Sequence, residues 1–212
     1  MAVDREKILV LAALALSAWA AQVLWVFGGS EDRARADREA PRPAEQEILY
    51  TFDIFDKRQL VGYSDNVFVG RVLKKVGDEP LKTTIPGAKP PQTQYSVAVL
   101  ETIKSGGPDP LAAGDEAIVN QSGGVDPETG RQLVVIGASA TDGHAADSPL
   151  RPGEEYLFAT RYDPTEHWHA ISAQPTGDVP LSGATERAEV VAAFTEAAAQ
   201  QVDPLAGGRV GA

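Results

Sequence analysis

The chain of 212 residues contains no cysteine. That excludes disulfides, thiol nucleophiles, zinc–thiolate sites and a lipid attached through sulfur. Basic residues are scarce: 19 Lys and Arg face 30 Asp and Glu, for a formal net charge of −11. Such a chain repels phosphate backbones, so nucleic acid is not an expected partner. Histidine occurs only three times, which limits imidazole chemistry to a few positions. Also missing are a G-x-S-x-G frame around any serine, a G-x-G-x-x-G turn and a lysine-bearing phosphate loop. The length bounds the molecule to one domain, or one domain with appendages.

One segment is rich in what the rest lacks. Ile8 to Phe27, ILVLAALALSAWAAQVLWVF, has no charge, and only Ser17 and Gln22 are polar. At about 1.5 Å per residue it reaches roughly 30 Å, the thickness of a bilayer's hydrocarbon core. Trp19 and Trp25 are two of the three tryptophans, and Trp25 and Phe27 sit at the outer end, where aromatic rings favour the headgroup region. A cleaved signal peptide would use Arg5 and Lys7 as its charged start, Ile8 to Leu16 as its apolar stretch and Ala18-Trp19-Ala20 as its cleavage site. The apolar run continues past that site to Phe27, which favours an uncleaved signal anchor over 8–27 after a tail of 1–7. The expected partner of this span is the lipid bilayer. Arg33, Arg35, Arg38 and Arg42 follow it, yet a short N-terminal tail and a large following domain favour placing the C-terminal part outside the cytoplasm. The expected location is the cell membrane, crossed once.

Residues 28–47, GGSEDRARADREAPRPAEQE, hold no large apolar side chain and read as a flexible stalk, with a solvated helix through Ala40 as the alternative. A β-domain is expected over 48–181. Asp56 is placed to cap a short helix over Lys57 to Tyr63. Strands are expected at Val67–Val76, along TQYSVAVLETIKS, at Ala117–Gln121, at Gln132–Ile136 and at Glu155–Tyr162. The last of these should pair with His167–Ala173 across the turn DPTE. No long helical pattern separates these strands, which argues against a parallel βαβ fold and for a small barrel or sandwich; the expected fold class is a small OB-like antiparallel barrel. A C-terminal helix is expected over 182–203, capped by Ser182 or Thr185, with Val190, Val191, Phe194, Ala198 and Val202 on its apolar face. Residues 204–212 read as a disordered tail.

The order YSDNVFVGRVLKKV, TQYSVAVLETIKSG, AIVNQSGG, LRPGEEYLFATRYD resembles uncharacterised bacterial surface proteins, notably actinobacterial ones, with an N-terminal membrane segment and one small β-domain. That domain is similar to the OB-like barrel of the netrin-like modules found in tissue inhibitors of metalloproteases. The resemblance covers about Ser64 to Tyr162 and implies the fold. Those inhibitors chelate the protease zinc through an N-terminal cysteine, which this chain lacks, so neither that mechanism nor any of their functional residues carries over.

Candidate chemistry is thin. His167 and His169 would share one face of a strand and could reach a common ion, with His144 or a nearby carboxylate as third donor. Against this stands a solvated strand face with Trp168 turned into the core. Ser122, His144 and Asp126 form no recognisable nucleophile frame, and Ser122-Gly123-Gly124 reads as turn chemistry. The carboxylates Asp142-Asp147 and Glu154-Glu155 read as solvated. No catalytic residue, cofactor or metal is therefore assigned, with His144, His167 and His169 the candidates for one. The expected role is a non-enzymatic binding or scaffolding module for a protein or cell-envelope partner, touched through loops 78–92 and 137–152. The alternative is an extracytoplasmic metal-dependent hydrolase or metal-handling protein centred on the three histidines.

Overall fold

Valine-rich strands dominate the computed structural model, which describes residues 44–80, 90–126, 129–139 and 144–206. The membrane span at 8–27, with Ile8, Trp19, Trp25 and Phe27, lies outside the described residues, as do 1–7, most of the stalk and the tail beyond 206. Among the described residues no helix is long and apolar enough to cross a membrane.

The fold is mainly β with a C-terminal helix. Ten strands are described: β1 Ala44–Tyr50, β2 Asn66–Pro80, β3 Pro91–Lys104, β4 Glu116–Ser122, β5 Gly124–Val125, β6 Gln132–Ser139, β7 His144–Ala146, β8 Glu155–Asp163, β9 Trp168–Ile171 and β10 Asp178–Pro180. Helix α1 spans Lys57–Tyr63 and α2 spans Ala184–Ala199. The larger sheet has the order β10-β8-β2-β3-β4-β9, and β8 also pairs with β9. The sheet is not a clean barrel. The link between β4 and β9 is parallel and only two residue pairs long, Val119 with His169 and Asn120 with Ala170. Strand β10 hangs from β8 as an extra edge, and β2 is interrupted by register shifts along β3.

Alternation explains why β2 and β8 read as continuous apolar runs. Phe68 and Phe158 enter one core with Val97, Val99, Val119 and Leu111. Their neighbours Val67, Leu157 and Ala159 enter a second core with Leu60, Val61, Phe194 and Ala197. Successive side chains of a strand point to opposite faces, so a strand buried on both has no polar side. Both helices pack on that second face.

Local chemistry fixes the helix ends. The Asp56 carboxylate accepts from Arg58 N–H at 2.9 Å and so caps α1 as expected. The bond to the Arg58 side chain holds its pKa down at about 2. At the other end Lys104 Nζ donates to the Val61 and Ser64 carbonyls, each at 2.7 Å, as a cation should at a helix C-terminus. Gly62 has no room for a side chain, because a Cβ there would overlap the Val202 carbonyl of the segment that returns after α2. Helix α2 departs from the expected cap. Gly183, at φ 96°, is the N-cap, and neither Ser182 nor Thr185 caps through its side chain. Glu186 instead reaches back to accept from Ser182 N–H at 3.1 Å. The apolar face is also narrower than the pattern implied: Phe194 and Ala197 are buried, whereas Val202 is exposed.

The stalk boundary at 47 needs correction. Residues 44–47 belong to β1, which runs parallel to β6 from Ala44 against Leu133 to Tyr50 against Ser139. Its partner is about ninety positions away, and its inner side is built from Ala44 and Gln46 as well as Ile48 and Tyr50. Composition alone could not signal that pairing. The loop expected at 78–92 is likewise shortened by β2 and β3, whose pairing continues to Pro80 with Pro91.

Candidate functional site

Two ends of the first core carry buried polar groups. One end is closed by the 105–115 connection between β3 and β4. Asn66 Nδ2 donates to the Asp109 carbonyl at 3.0 Å, and its Oδ1 accepts from Leu111 N–H at 3.0 Å. That clamp seats Leu111 in the core. His169 Nε2 meets Asp109 Oδ2 at 3.1 Å. His169 is only 2% exposed and its Nδ1 has no partner. Burial therefore lowers its pKa, partly opposed by Asp109. A neutral ring donating from Nε2 to the carboxylate satisfies this geometry, because a proton on Nδ1 would have no acceptor.

The histidines are thus engaged separately. His167 lies just before β9 with φ 60°, so the two-residue alternation that would put it on one face with His169 does not apply. Its Nδ1 lies 3.1 Å from the Tyr162 hydroxyl. Trp168 is buried, as the core reading required, but His169 is buried too rather than solvated. The backbone of His144 pairs with Ala138 in β7; its side chain lies outside the described residues. Among the described residues no three His, Asp or Glu side chains are grouped to hold an ion.

The other end is the stronger candidate site. Gln121 enters from β4, Asp147 from the turn after β7, Gln174 from the segment after β9, and Asp178 from the first position of β10. Gln121 Nε2 donates toward Asp147 Oδ2 at 2.8 Å, Asp178 Oδ2 at 2.9 Å and the Ser148 carbonyl at 2.9 Å. Its Oε1 accepts from Leu150 N–H at 3.1 Å. The Gln174 amide nitrogen donates to Asp147 Oδ2 and, at 3.0 Å, to the Ser122 carbonyl. Its Oε1 accepts from Ser122 N–H at 2.8 Å. Asp147 Oδ1 accepts from Ser148 N–H at 2.7 Å. The Tyr50 hydroxyl of β1 accepts from Gln174 N–H at 3.1 Å, and burial pushes its pKa up to about 12.

Desolvation raises the pKa of Asp147, against the pull of its amide donors. Asp178 is raised well above the ordinary carboxylate range, first by burial and then by the negative charge of Asp147. Two adjacent carboxylates do not both ionise easily, so the pair retains a proton above the usual range. Asp178 Oδ1 is buried and has no hydrogen-bond partner.

A pocket of about 340 Å³ opens on this pair, lined by Asp147, Ser148, Arg151, Glu154, Tyr156 and Asp178 together with prolines. Arg151 faces Glu154 at 3.6 Å. The sequence reading placed Asp147 in solvent and passed over Asp178, Gln121 and Gln174. Asp147 is instead 9% exposed and Asp178 4%. No local signal marks them, since their burial comes from four segments distant in sequence. Ser122-Gly123-Gly124 behaves as turn chemistry: both glycines have positive φ, 96° and 125°, a region side chains disfavour.

No protein-family model matches the chain, and no curated protein is significantly similar to it.

Proposed function

We propose that the chain is a membrane-anchored, extracytoplasmic binding or scaffolding module whose β-domain is an OB-like barrel. The observation that carries the fold part is the pairing order. Strand β8 pairs with β2, β2 with β3, β3 with β4, β4 in parallel with β9, and β9 back with β8. That circuit is the one expected of a five-stranded, partly open Greek-key barrel. The resemblance to the netrin-like modules of tissue inhibitors of metalloproteases leads to the same reading.

The role follows from how the interior is used. Phe68, Val97, Val119 and Phe158 fill the space inside the ring. A small barrel with a filled interior engages its ligands on outer strands and loops. The outer edge best suited to a partner is β2 beyond Arg71, where pairing with β8 ends. There Leu73 and Val76 are 45% and 50% exposed, with Lys74 and Lys75 between them in the strand. The apolar run at 8–27, with Trp19 and Trp25, supports the anchor. The expected partner is a protein or another cell-envelope component.

Two experiments test this reading. In the first, membranes carrying the full chain are washed with alkaline carbonate. Retention in the pellet is expected, and release would contradict the anchor. In the second, a photo-reactive amino acid replaces Val76 in living cells, with Leu205 as control site. A discrete adduct from position 76 and none from 205 is expected. No adduct from 76 would contradict the β2 edge as the contact surface.

A further inference from the structure

The 105–115 connection between β3 and β4 carries an inference on residues separate from the proposed binding edge. We propose that the chain cuts its own peptide bond between Asp109 and Pro110, with Asp109 as nucleophile and with Asn66 and His169 supporting it.

The nitrogen of an X–Pro bond belongs to a tertiary amide, which is more basic than an ordinary amide nitrogen. An aspartate before it can close a five-membered ring onto its own main-chain carbonyl carbon, so the reacting atoms lie within one residue. The sequence has four such bonds, after Asp109, Asp126, Asp163 and Asp203. In three of them the carboxylate is turned forward into the next turn. Asp126 Oδ1 accepts from Thr129 N–H at 3.1 Å, Asp163 Oδ1 from Thr165 N–H at 2.8 Å and Asp203 Oδ1 from Leu205 N–H at 2.9 Å. Asp109 differs. Its Oδ2 is held by His169 Nε2 at 3.1 Å, and its Oδ1 has no hydrogen-bond partner among the described residues. Its carbonyl accepts from the Asn66 side-chain amide at 3.0 Å.

In the reaction Oδ1 adds to the Asp109 carbonyl carbon, and the charge that develops on the carbonyl oxygen falls on the Asn66 N–H. The bond to Pro110 then breaks. Its electron pair stays on the proline nitrogen, which takes a proton from solvent. Asp109 is left as a cyclic anhydride, and water opens it to two carboxylates. The Asp109 side chain is 50% exposed and Pro110 is exposed, so water and the proton have access. His169 is a positioning residue: it fixes one carboxylate oxygen and leaves the other to react. After the cut β3 and β4 still hold the halves together, from Gln92 against Ser122 to Ala98 against Glu116. What is released is the closure that seats Leu111 in the core.

The test incubates the full chain in detergent micelles at mildly acidic pH and identifies fragments by mass spectrometry under denaturing conditions. The expected result is a cut between 109 and 110 that is at least about tenfold faster than at the other three Asp–Pro bonds. In urea that preference should vanish. Asp109→Ala should abolish the cut. If that variant does not fold, Pro110→Ala, at an exposed position, keeps the carboxylate but has a poorer leaving nitrogen, and should slow the cut at least about tenfold. His169→Leu should slow it in the folded chain, and His169→Gln, which keeps an N–H donor, should slow it less. No cut at 109–110 in the folded chain overturns the proposal. Equal rates at all four bonds, a preference that persists in urea, or an undiminished cut in the folded Asp109 or Pro110 variant also overturns it.

Discussion

At the scale of single residues, two buried groups set opposite pH responses. Asp178 has its folded pKa raised by burial and by Asp147. The folded state therefore holds that proton more tightly than the unfolded chain does. Its contribution to stability is complete below the unfolded carboxylate value of about 3.9 and is lost as pH rises through the folded value. His169 works the other way. Its folded pKa lies below 6.5, so its contribution is complete above that value and is lost as pH falls through the folded one. Urea unfolding across pH checks both. Asp178→Asn should flatten the loss of stability on the alkaline side. His169→Gln should flatten the loss on the acid side and cost about 1–3 kcal/mol at neutral pH, through the bond to Asp109. Unchanged slopes in either variant would contradict the assignment. Asn66→Ala should cost about 2–4 kcal/mol, since it leaves Leu111 N–H and the Asp109 carbonyl unpaired at the closed end of the core. Asp56 was legible as a cap because its partners are two residues away. Asp147 was not, because its burial is set by Gln121 and Gln174, each about 26 to 27 positions distant.

Elements were legible where the period of the sequence matches local burial. The helix over Lys57–Tyr63 and the pairing of β8 with β9 follow from a cap, a turn and alternation, all local. Strand β1 escaped because its inner side uses Ala44 and Gln46, and because the strand it joins, β6, is remote in sequence. Short pieces such as β5, β7 and β10 are too brief to carry a period. The element-level account predicts two costs. Phe194→Ala, at a side chain 1% exposed in the second core, should lose about 3–5 kcal/mol and detach α2 from the sheet. Gly62→Ala should lose about 1–3 kcal/mol, because the Val202 carbonyl has no space to give. Thermal unfolding followed by circular dichroism measures both, and a neutral Gly62→Ala would contradict the close crossing of the C-terminal segment over α1.

For the molecule as a whole, the absence of cysteine, the charge of −11 and the apolar run at 8–27 bear on location more than chemistry. In the proposed account a lipid-spanning segment and a polar stalk carry a β-domain whose interior is filled by its own side chains. The candidate site was hidden at this scale, because it exists only after four distant segments meet. The absence of cysteine also makes the central claim directly measurable. Ser182 is exposed on the domain, so Ser182→Cys gives a single thiol. Intact cells are treated with a membrane-impermeant maleimide and their membranes then isolated. An anchored module facing outward predicts labelled full-length chain in the membrane pellet without lysis; labelling that appears only after the cells are broken would contradict it.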